Sequence, residues 1–363
     1  MKKNKISNKK YTAAIIGTGR IGFSLGFDKK REQPASHTMA LLANDSVEIV
    51  AGCDTNEENL NNFSKYIKKY NENARFFNNL SDFLDYFTVL PDIIVVAVNE
   101  DSHLSVTLKI LERKPKLIIL EKPVTLNTAE GNLIKQKSQD FGVPLLINHE
   151  RRFALDYNFA REYLSKIGKI LTVNARLDSG LRVYLKEKED KGEYSLLHDG
   201  THLVDIVLFL LSGGVQAPEK QGSLQDVKLI SLTRDDEKPE VVRNINVHAC
   251  NSVCNDINFN ISGQSKYFGF EIEIIGSLGR IKIGNGIFDF YKREESSLYT
   301  GFYSLVPDKS VKKIKKTGYF ANMVQNAVDF LEGKAPLKST LQNGLETLSI
   351  LEEIKNQIIT CGV

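Results

Sequence analysis

Thr12-Ala-Ala-Ile-Ile-Gly-Thr-Gly-Arg-Ile-Gly22 is the stretch on which the reading of this chain turns. The apolar run from Ala13 to Ile16 reads as a buried strand, and Gly17, Gly19 and Gly22 follow it in the spacing G-x-G-x-x-G. A first glycine at such a place makes the tight turn off the strand. The second leaves room for a pyrophosphate against bare backbone. The third lets a helix lie close to the strand, with its N-terminal N–H groups aimed at the phosphate. The same spacing arises by chance in glycine-rich turns, and it gains mechanical meaning only between a strand and a helix start. That context makes Gly17, Gly19, Arg20, Ile21 and Gly22 candidate contacts for a dinucleotide.

Beyond Gly22 the expected helix is interrupted. Phe23 to Ser36 holds Gly26, Asp28, the run Lys29-Lys30-Arg31 and Pro34, which do not suit a continuous helix. Helical character resumes from His37 to Asn44, and Val47 to Cys53 reads as a second strand ending in Asp54. A carboxylate there accepts from the adenosine ribose hydroxyls, usually about 20 residues past the glycines. The wider separation here is ascribed to the inserted segment. Thr55 and Asn56 follow Asp54, with no arginine for a 2′-phosphate, so the sequence favours NAD over NADP. The alternative for Asp54 is a helix N-cap.

Strands and helices then alternate. Pro91 to Val98 is a β-branched run, Lys116 to Leu120 a further strand and Val143 to Ile147 another, with helices over 56–70, 81–87, 99–112 and 127–140. Alternation over 150 residues means a doubly wound parallel sheet. Such sheets bind ligands at the carboxyl ends of their strands, where Gly17, Asp54, Asn99, Glu121, Lys122 and Asn148 all fall. From Ile170 onward the pattern changes to strand-like segments separated by Gly, Asn and Asp turns, interrupted by the helix that carries His202 and by helices near 153–165 and 318–332. The expected class is α/β: a dinucleotide-binding domain over 1–124, then an α+β domain over 125–363 with a largely antiparallel open sheet. Strand 143–147 and the C-terminal helix are candidates to pack with the first domain.

Bulk composition narrows the function. With 42% hydrophobic and 26% charged residues the 363-residue chain reads as an ordinary globular protein of two domains. A net charge of +3 gives no reason to expect a nucleic-acid or membrane partner. The basic start, Met1 to Lys10, lacks a signal peptide's apolar core, and Leu203 to Leu211 is too short to span a bilayer. Cys53, Cys250, Cys254 and Cys361 show no metal-ligand spacing, so no metal is expected and reduced thiols in a cytoplasmic protein are. The charge runs 186–191 and 312–316 read as solvated loops.

Glu121-Lys122-Pro123 brings in a resemblance. Taken with the glycine motif, Asp54, Asn99 and His103, Arg151-Arg152-Phe153, Gly200-Thr201-His202-Leu-Val-Asp205 and the closing Phe330-Leu-Glu-Gly-Lys-Ala-Pro336, the chain resembles the Gfo/Idh/MocA family of nicotinamide-dependent oxidoreductases. The resemblance implies a Rossmann domain and hydride transfer between NAD(P) and a secondary hydroxyl of a sugar, nucleotide sugar or cyclitol. It implies that Lys122 hydrogen-bonds the reacting oxygen and that His202 takes its proton. Many members carry aspartate four residues before that histidine, where this chain has His198 followed by Asp199. Either Asp199 orients His202, or His198 relays the proton or contacts substrate. His103 lines the nicotinamide pocket or caps a helix, His37 matches a family position displaced by the insertion, and Arg151 and Arg152 reach cofactor or substrate or stand on the surface. A homodimer or homotetramer paired through the open sheets is implied too. Two other readings stay open: a dinucleotide- or sugar-binding regulator without catalysis, and a reductase of C=N or C=C bonds. The inserted Phe23 to Ser36, with its three cations, is expected to fold over an anionic substrate or the cofactor.

Overall fold

The computed structural model describes residues 11–180, 195–212 and 223–360. Met1 to Lys10, the charge run at 186–191 and Cys361 lie outside them. The chain divides into two units, Met1–Ala154 with Lys316–Leu345, and Leu155–Lys315 with Glu346–Val363.

In the first unit, β1 (Tyr11–Ile16), β2 (Val47–Cys53), β3 (Arg75–Phe77), β4 (Ile93–Val96), β5 (Leu117–Leu120) and β6 (Leu145–Ile147) form one sheet in the order β3-β2-β1-β4-β5-β6. Every pairing in it is parallel. The strand order reverses at β1, between β2 and β4, which is where such sheets open a ligand crevice. The continuous apolar runs follow from burial on both faces. Ala13 and Ile15 of β1 point into one core with Phe63 and Ile67, while Ala14 and Ile16 point into the other with Phe83, Ile110 and Ile134. Burying one such isoleucine contributes roughly 1.5–3 kcal/mol. The helices of this unit are α1 (His37–Ala43), α2 (Glu57–Ile67), α3 (Leu80–Tyr86), α4 (His103–Leu111) and α5 (Thr128–Phe141). Ser36, Asn56, Asn79 and Asn127 start α1, α2, α3 and α5 by accepting from backbone N–H groups three residues on. The helix start beside Asp54 is therefore capped by Asn56.

The first unit ends after Ala154 rather than after residue 124. β6 pairs with β5 and so keeps residues 125–154 in the parallel sheet. A later helix, Tyr319–Leu331, returns to it by burying Phe320, Met323, Val324 and Ala327 in the β1 core.

The second unit holds α6 (Leu155–Tyr163), β7 (Ile170–Gly180), α7 (Ser195–Leu211), β8 (Gln225–Arg234), β9 (Val242–Cys250), β10 (Ile257–Ser262), β11 (Gln264–Gly276), β12 (Gly279–Gly284), β13 (Ile287–Glu295) and β14 (Tyr303–Pro307). Its sheet runs β14-β13-β12-β11-β7-β10-β9-β8, antiparallel except for β7 against β10. The helix Tyr319–Leu331 is α8, and α9 (Leu341–Thr360) closes the chain. Alternation decides the faces. Val173, Ala175 and Leu177 of β7 are buried with Ile257, Phe259 and Ile261 of β10, and α7 buries Leu203, Val204, Ile206 and Val207. The other face carries amides, with Asn258 Nδ2 donating to Asn174 (3.3 Å) and Asn246 Nδ2 to Ser231 (2.6 Å). No helix among the described residues is long and apolar enough to cross a membrane.

Candidate functional site

The glycine turn is built as the spacing requires. Gly17 takes φ +94°, donates its N–H to Cys53 O at 2.8 Å, and has no room for a Cβ, which would strike the Ala97 carbonyl. A Cβ on Gly22 would strike the Gly17 carbonyl. Gly19 differs. A Cβ there would meet nothing of the protein nearer than Asn59 Nδ2 at 3.5 Å. Among the described residues, the amides of Gly19, Arg20, Ile21 and Gly22 donate to no protein acceptor. Free amides over a bare backbone make an anion cradle, and a pyrophosphate fits it. At the end of β2, Asp54 Oδ2 accepts from the Thr18 amide (2.7 Å) and hydroxyl (3.1 Å), and Oδ1 accepts from Asn56 N (2.9 Å). A carboxylate has about four acceptor sites, so Oδ1 keeps one for a ribose hydroxyl.

The helix after the turn is cut and rejoined. Phe23 N bonds Gly19 O (2.9 Å), and a short 3-10 turn follows over Ser24–Phe27. The carbonyls of Ile21 and Gly22 then accept from His37 N (3.1 Å) and Thr38 N (3.0 Å), and the Thr38 hydroxyl adds a bond to Gly22 O (2.6 Å). The looped-out segment is fastened by Glu32. Its carboxylate accepts from Thr317 N (2.9 Å), the Thr317 hydroxyl (3.1 Å) and Gly318 N (2.5 Å), at the start of α8. Lys29, Lys30 and Arg31 are exposed.

Three more strand ends meet the same edge. Asn99 is exposed past β4. His103, expected at the nicotinamide or as a cap, is 1% exposed; its Nδ1 faces Pro123 O (2.7 Å) and its Nε2 faces Val98 O (3.2 Å). It therefore ties the ends of β4 and β5 together instead of presenting an edge to a ligand. Glu121, expected on the cofactor, turns inward, and its Oε1 pairs with His37 Nε2 (2.6 Å) and accepts from Asn148 Nδ2 (2.5 Å). Burial pushes this carboxyl up, but the His37 bond and charge, the Asn148 amide and the Lys122 charge outweigh it. The group lies below the ordinary glutamate value. Lys122 is half-buried beside it, and the Lys122–Pro123 peptide is cis. Arg152, expected on substrate, is buried, whereas Arg151 pairs with Glu150 at 3.3 Å.

The second unit's candidates lie on α7. His198 is exposed and His202 half-buried, four residues apart on one helical face. Asp199 does not orient His202; its Oδ2 accepts from the Ser179 hydroxyl (3.0 Å) at the end of β7. Gly200 brings α7 close to β10, where a Cβ would come within 2.9 Å of Ile261. Asp205 Oδ1 accepts from the Thr347 hydroxyl at 3.3 Å on α9. Cys53, Cys250 and Cys254 are free thiols, and burial, with Asp54 and Asp82, pushes Cys53 up to about 12. Among the described residues no cluster of three His, Cys, Asp or Glu is placed to hold a metal ion.

One residue and one pairing lie beyond the sequence reading. Thr18 stands at a variable position of the glycine spacing, and its hydroxyl meets Asp54 at 3.1 Å. The pairing of Glu121 with His37 joins positions 84 apart and carries no local signal.

Comparison with known proteins agrees with this geometry. Residues 11–149 match the family model Gfo/Idh/MocA, an oxidoreductase family with an NAD-binding Rossmann fold. A 125-residue stretch is 25% identical to scyllo-inositol 2-dehydrogenase (NADP(+)) IolW of Bacillus subtilis, and it takes in 33% of this chain and 34% of that protein. The WlbA dehydrogenase of Bordetella pertussis, solved with NADH and UDP-GlcNAcA, superimposes with TM-score 0.70 over 97% of both chains at 17% identity. UDP-N-acetylglucosamine 3-dehydrogenase GnnA of Acidithiobacillus ferrooxidans gives TM-score 0.69 at 14% identity, over 96% of this chain and 97% of that one. At these identities the two structures speak for the shared fold.

Proposed function

With residues 11–149 belonging to the Gfo/Idh/MocA oxidoreductase family, we propose that the chain is an NAD-dependent dehydrogenase acting on a secondary hydroxyl of a sugar, nucleotide sugar or cyclitol. The observation that carries the reading is the cradle at Gly19: free amides, and a space that only glycine leaves open. NAD, when bound, accepts the hydride. The residues of the chain do the rest. The amides of Gly19 to Gly22 hold the pyrophosphate, and Asp54 takes a ribose hydroxyl. Its fixed negative charge opposes a 2′-phosphate, which is the reason for NAD over NADP.

Lys122 hydrogen-bonds the reacting oxygen and steadies the negative charge that develops on it, and His202 receives the hydroxyl proton. His198, exposed on the same helical face, contacts substrate. Lys122→Met tests the assignment. It should lower turnover by about 10²–10³-fold, the usual cost of one lost oxyanion donor, with NADH affinity kept. The substrate class is read by following nicotinamide absorbance over a panel of sugars, nucleotide sugars and cyclitols. A Lys122→Met enzyme that turns over normally, or that loses NADH instead, would overturn the reading.

A second copy is the partner we propose for the second unit's open sheet face, where Ile230 stands 65% exposed beside the amide ladder. A one-chain mass by light scattering refutes that.

A further inference from the structure

Along the glycine turn the amides divide into two groups. Gly17 N donates to Cys53 O (2.8 Å) and Thr18 N to Asp54 Oδ2 (2.7 Å), and the four that follow are left for a ligand. Thr18 is thus the last amide of the turn held by protein. It holds Asp54 twice, since its hydroxyl donates to the same Oδ2 at 3.1 Å. Thr18 is 1% exposed, and a buried hydroxyl costs free energy unless it is bonded. Among the described residues Asp54 is the partner that satisfies it. Alanine here would carry no such requirement, so the carboxylate accounts for the hydroxyl. The remaining ties of Asp54 among the described residues are its own N–H on Phe77 O (3.1 Å) and the Asn56 amide on Oδ1 (2.9 Å).

We propose that Thr18 is a positioning residue for cofactor choice: its hydroxyl keeps the Asp54 carboxylate turned so that Oδ1 meets the ribose and a 2′-phosphate is refused. The proposal rests on the ribose contact given to Asp54 above. The terminal torsion of an aspartate is broad, so a carboxylate held loosely can swing. Faced with a 2′-phosphate, such a group turns away from the like charge and the refusal weakens. Asp54 cannot turn without taking Oδ2 off both Thr18 donors, and one of these is a buried hydroxyl left with nothing to bond. Discrimination against NADP therefore depends on the brace as well as on the charge. The brace also survives NAD binding, because the ribose draws on Oδ1 and Thr18 on Oδ2. A hydroxyl in the glycine turn and a carboxylate 36 positions later act as one device.

Fluorescence titrations of NADH and NADPH on the full-length protein read the effect as the ratio of the two dissociation constants. Thr18→Val keeps the branched shape and loses the hydroxyl. It should move the ratio toward NADPH by roughly fivefold, the scale of one hydrogen bond. Thr18→Ser keeps the hydroxyl and should hold the parent ratio to within about twofold. In an Asp54→Ala background Thr18→Val should shift the ratio no further, because the two residues are coupled. A hydroxyl that served the turn alone would lower the melting temperature of Thr18→Val and leave the ratio unmoved; that result overturns the proposal. A full shift with Asp54 absent overturns it too, since Thr18 would then act on the dinucleotide directly. If Thr18→Val does not fold, Thr18→Ala replaces it in both backgrounds. The premise has its own reading: an Asp54→Ala protein at the parent ratio marks the ribose contact as wrong, and the proposal falls with it. Where Asp54→Ala shifts the ratio and Thr18→Val does not, the failure belongs to Thr18 alone.

Discussion

Alanine at Gly19 and alanine at Gly22 should fail in opposite ways, because one glycine makes room for ligand and the other for protein. At Gly22 the added methyl meets the Gly17 carbonyl, and backbone cannot swing aside as a side chain does. Overpacking of this kind costs about 1–3 kcal/mol and more where nothing yields. With backbone on both sides of the conflict the upper end, about 3 kcal/mol, applies, and at roughly 2–4 °C per kcal/mol for a unit of this size Gly22→Ala should melt about 6–12 °C below the parent. Gly19 is free of that conflict: its φ lies outside the left-handed region, and its nearest neighbour would stand at ordinary contact distance, 3.5 Å. Gly19→Ala should therefore melt within about 2 °C of the parent, as substitutions clear of the core do. Its loss appears on binding. The methyl occupies the approach to four free amides, and each charge-assisted bond forfeited is worth about 1.5–3 kcal/mol. One lost bond weakens NADH by roughly 10–150-fold. Thermal melting and titration of NADH fluorescence on the same samples separate the two effects. Normal NADH affinity in Gly19→Ala, or a melting point as low as that of Gly22→Ala, would refute the reasoning.

Two further outcomes follow from the carboxylates. Asp54→Ala removes both the ribose acceptor and the brace on Thr18. NAD affinity should fall about tenfold or more while NADP is barely affected, and an unchanged NAD-to-NADP ratio of dissociation constants speaks against the role given to Asp54. Burial raises the carboxyls of Glu121 and Asp92, but hydrogen bonds and cations, His37 for the one and Lys116 for the other, bring both below their ordinary values of 4.5 and 3.8. The stability each adds is complete above its ordinary value and is lost as pH falls through the lower folded one. Melting temperature should hold from pH 8 to about 5 and then decline, and Glu121→Gln should soften the decline.

The sheet of the first unit was legible because its strands are buried on both faces and read as uninterrupted apolar runs, as in Ile93 to Val96. The second sheet was legible for the opposite reason, one-sided burial, which writes Ile257, Phe259 and Ile261 in alternation. β3 and β14 escaped: each is a short edge strand with no fully buried side chain to set a pattern. Helical spacing offers Asp199 to His202 as one of two alternatives, but a strand hydroxyl 20 residues earlier takes it, and no local rule foresees a contact between elements. The inward turn of Glu121 was foreseeable. Neighbours on an extended chain point to opposite sides, so a cleft-facing Lys122 already implies an inward-facing Glu121.

The one irregularity of the dinucleotide motif, the long reach from the glycines to Asp54, is explained by the hydrogen bonds of the spliced turn. In an unbroken helix the Ile21 and Gly22 carbonyls accept from residues 25 and 26. Here they accept from His37 and Thr38, so His37 stands where residue 25 would and a loop of twelve residues (37 − 25) is left out of register. Gly22 to Asp54 spans 32 positions, and without those twelve the span is 20, close to the separation of about 20 that a ribose-binding carboxylate requires. The loop has been added without displacing α1, whose Ser36 cap and Thr38 hydroxyl close the splice on the near side. Glu32 holds the far side to the start of α8. A segment fixed at both ends cannot swing freely as a lid. Its three cations, Lys29, Lys30 and Arg31, stand exposed on that fastened segment.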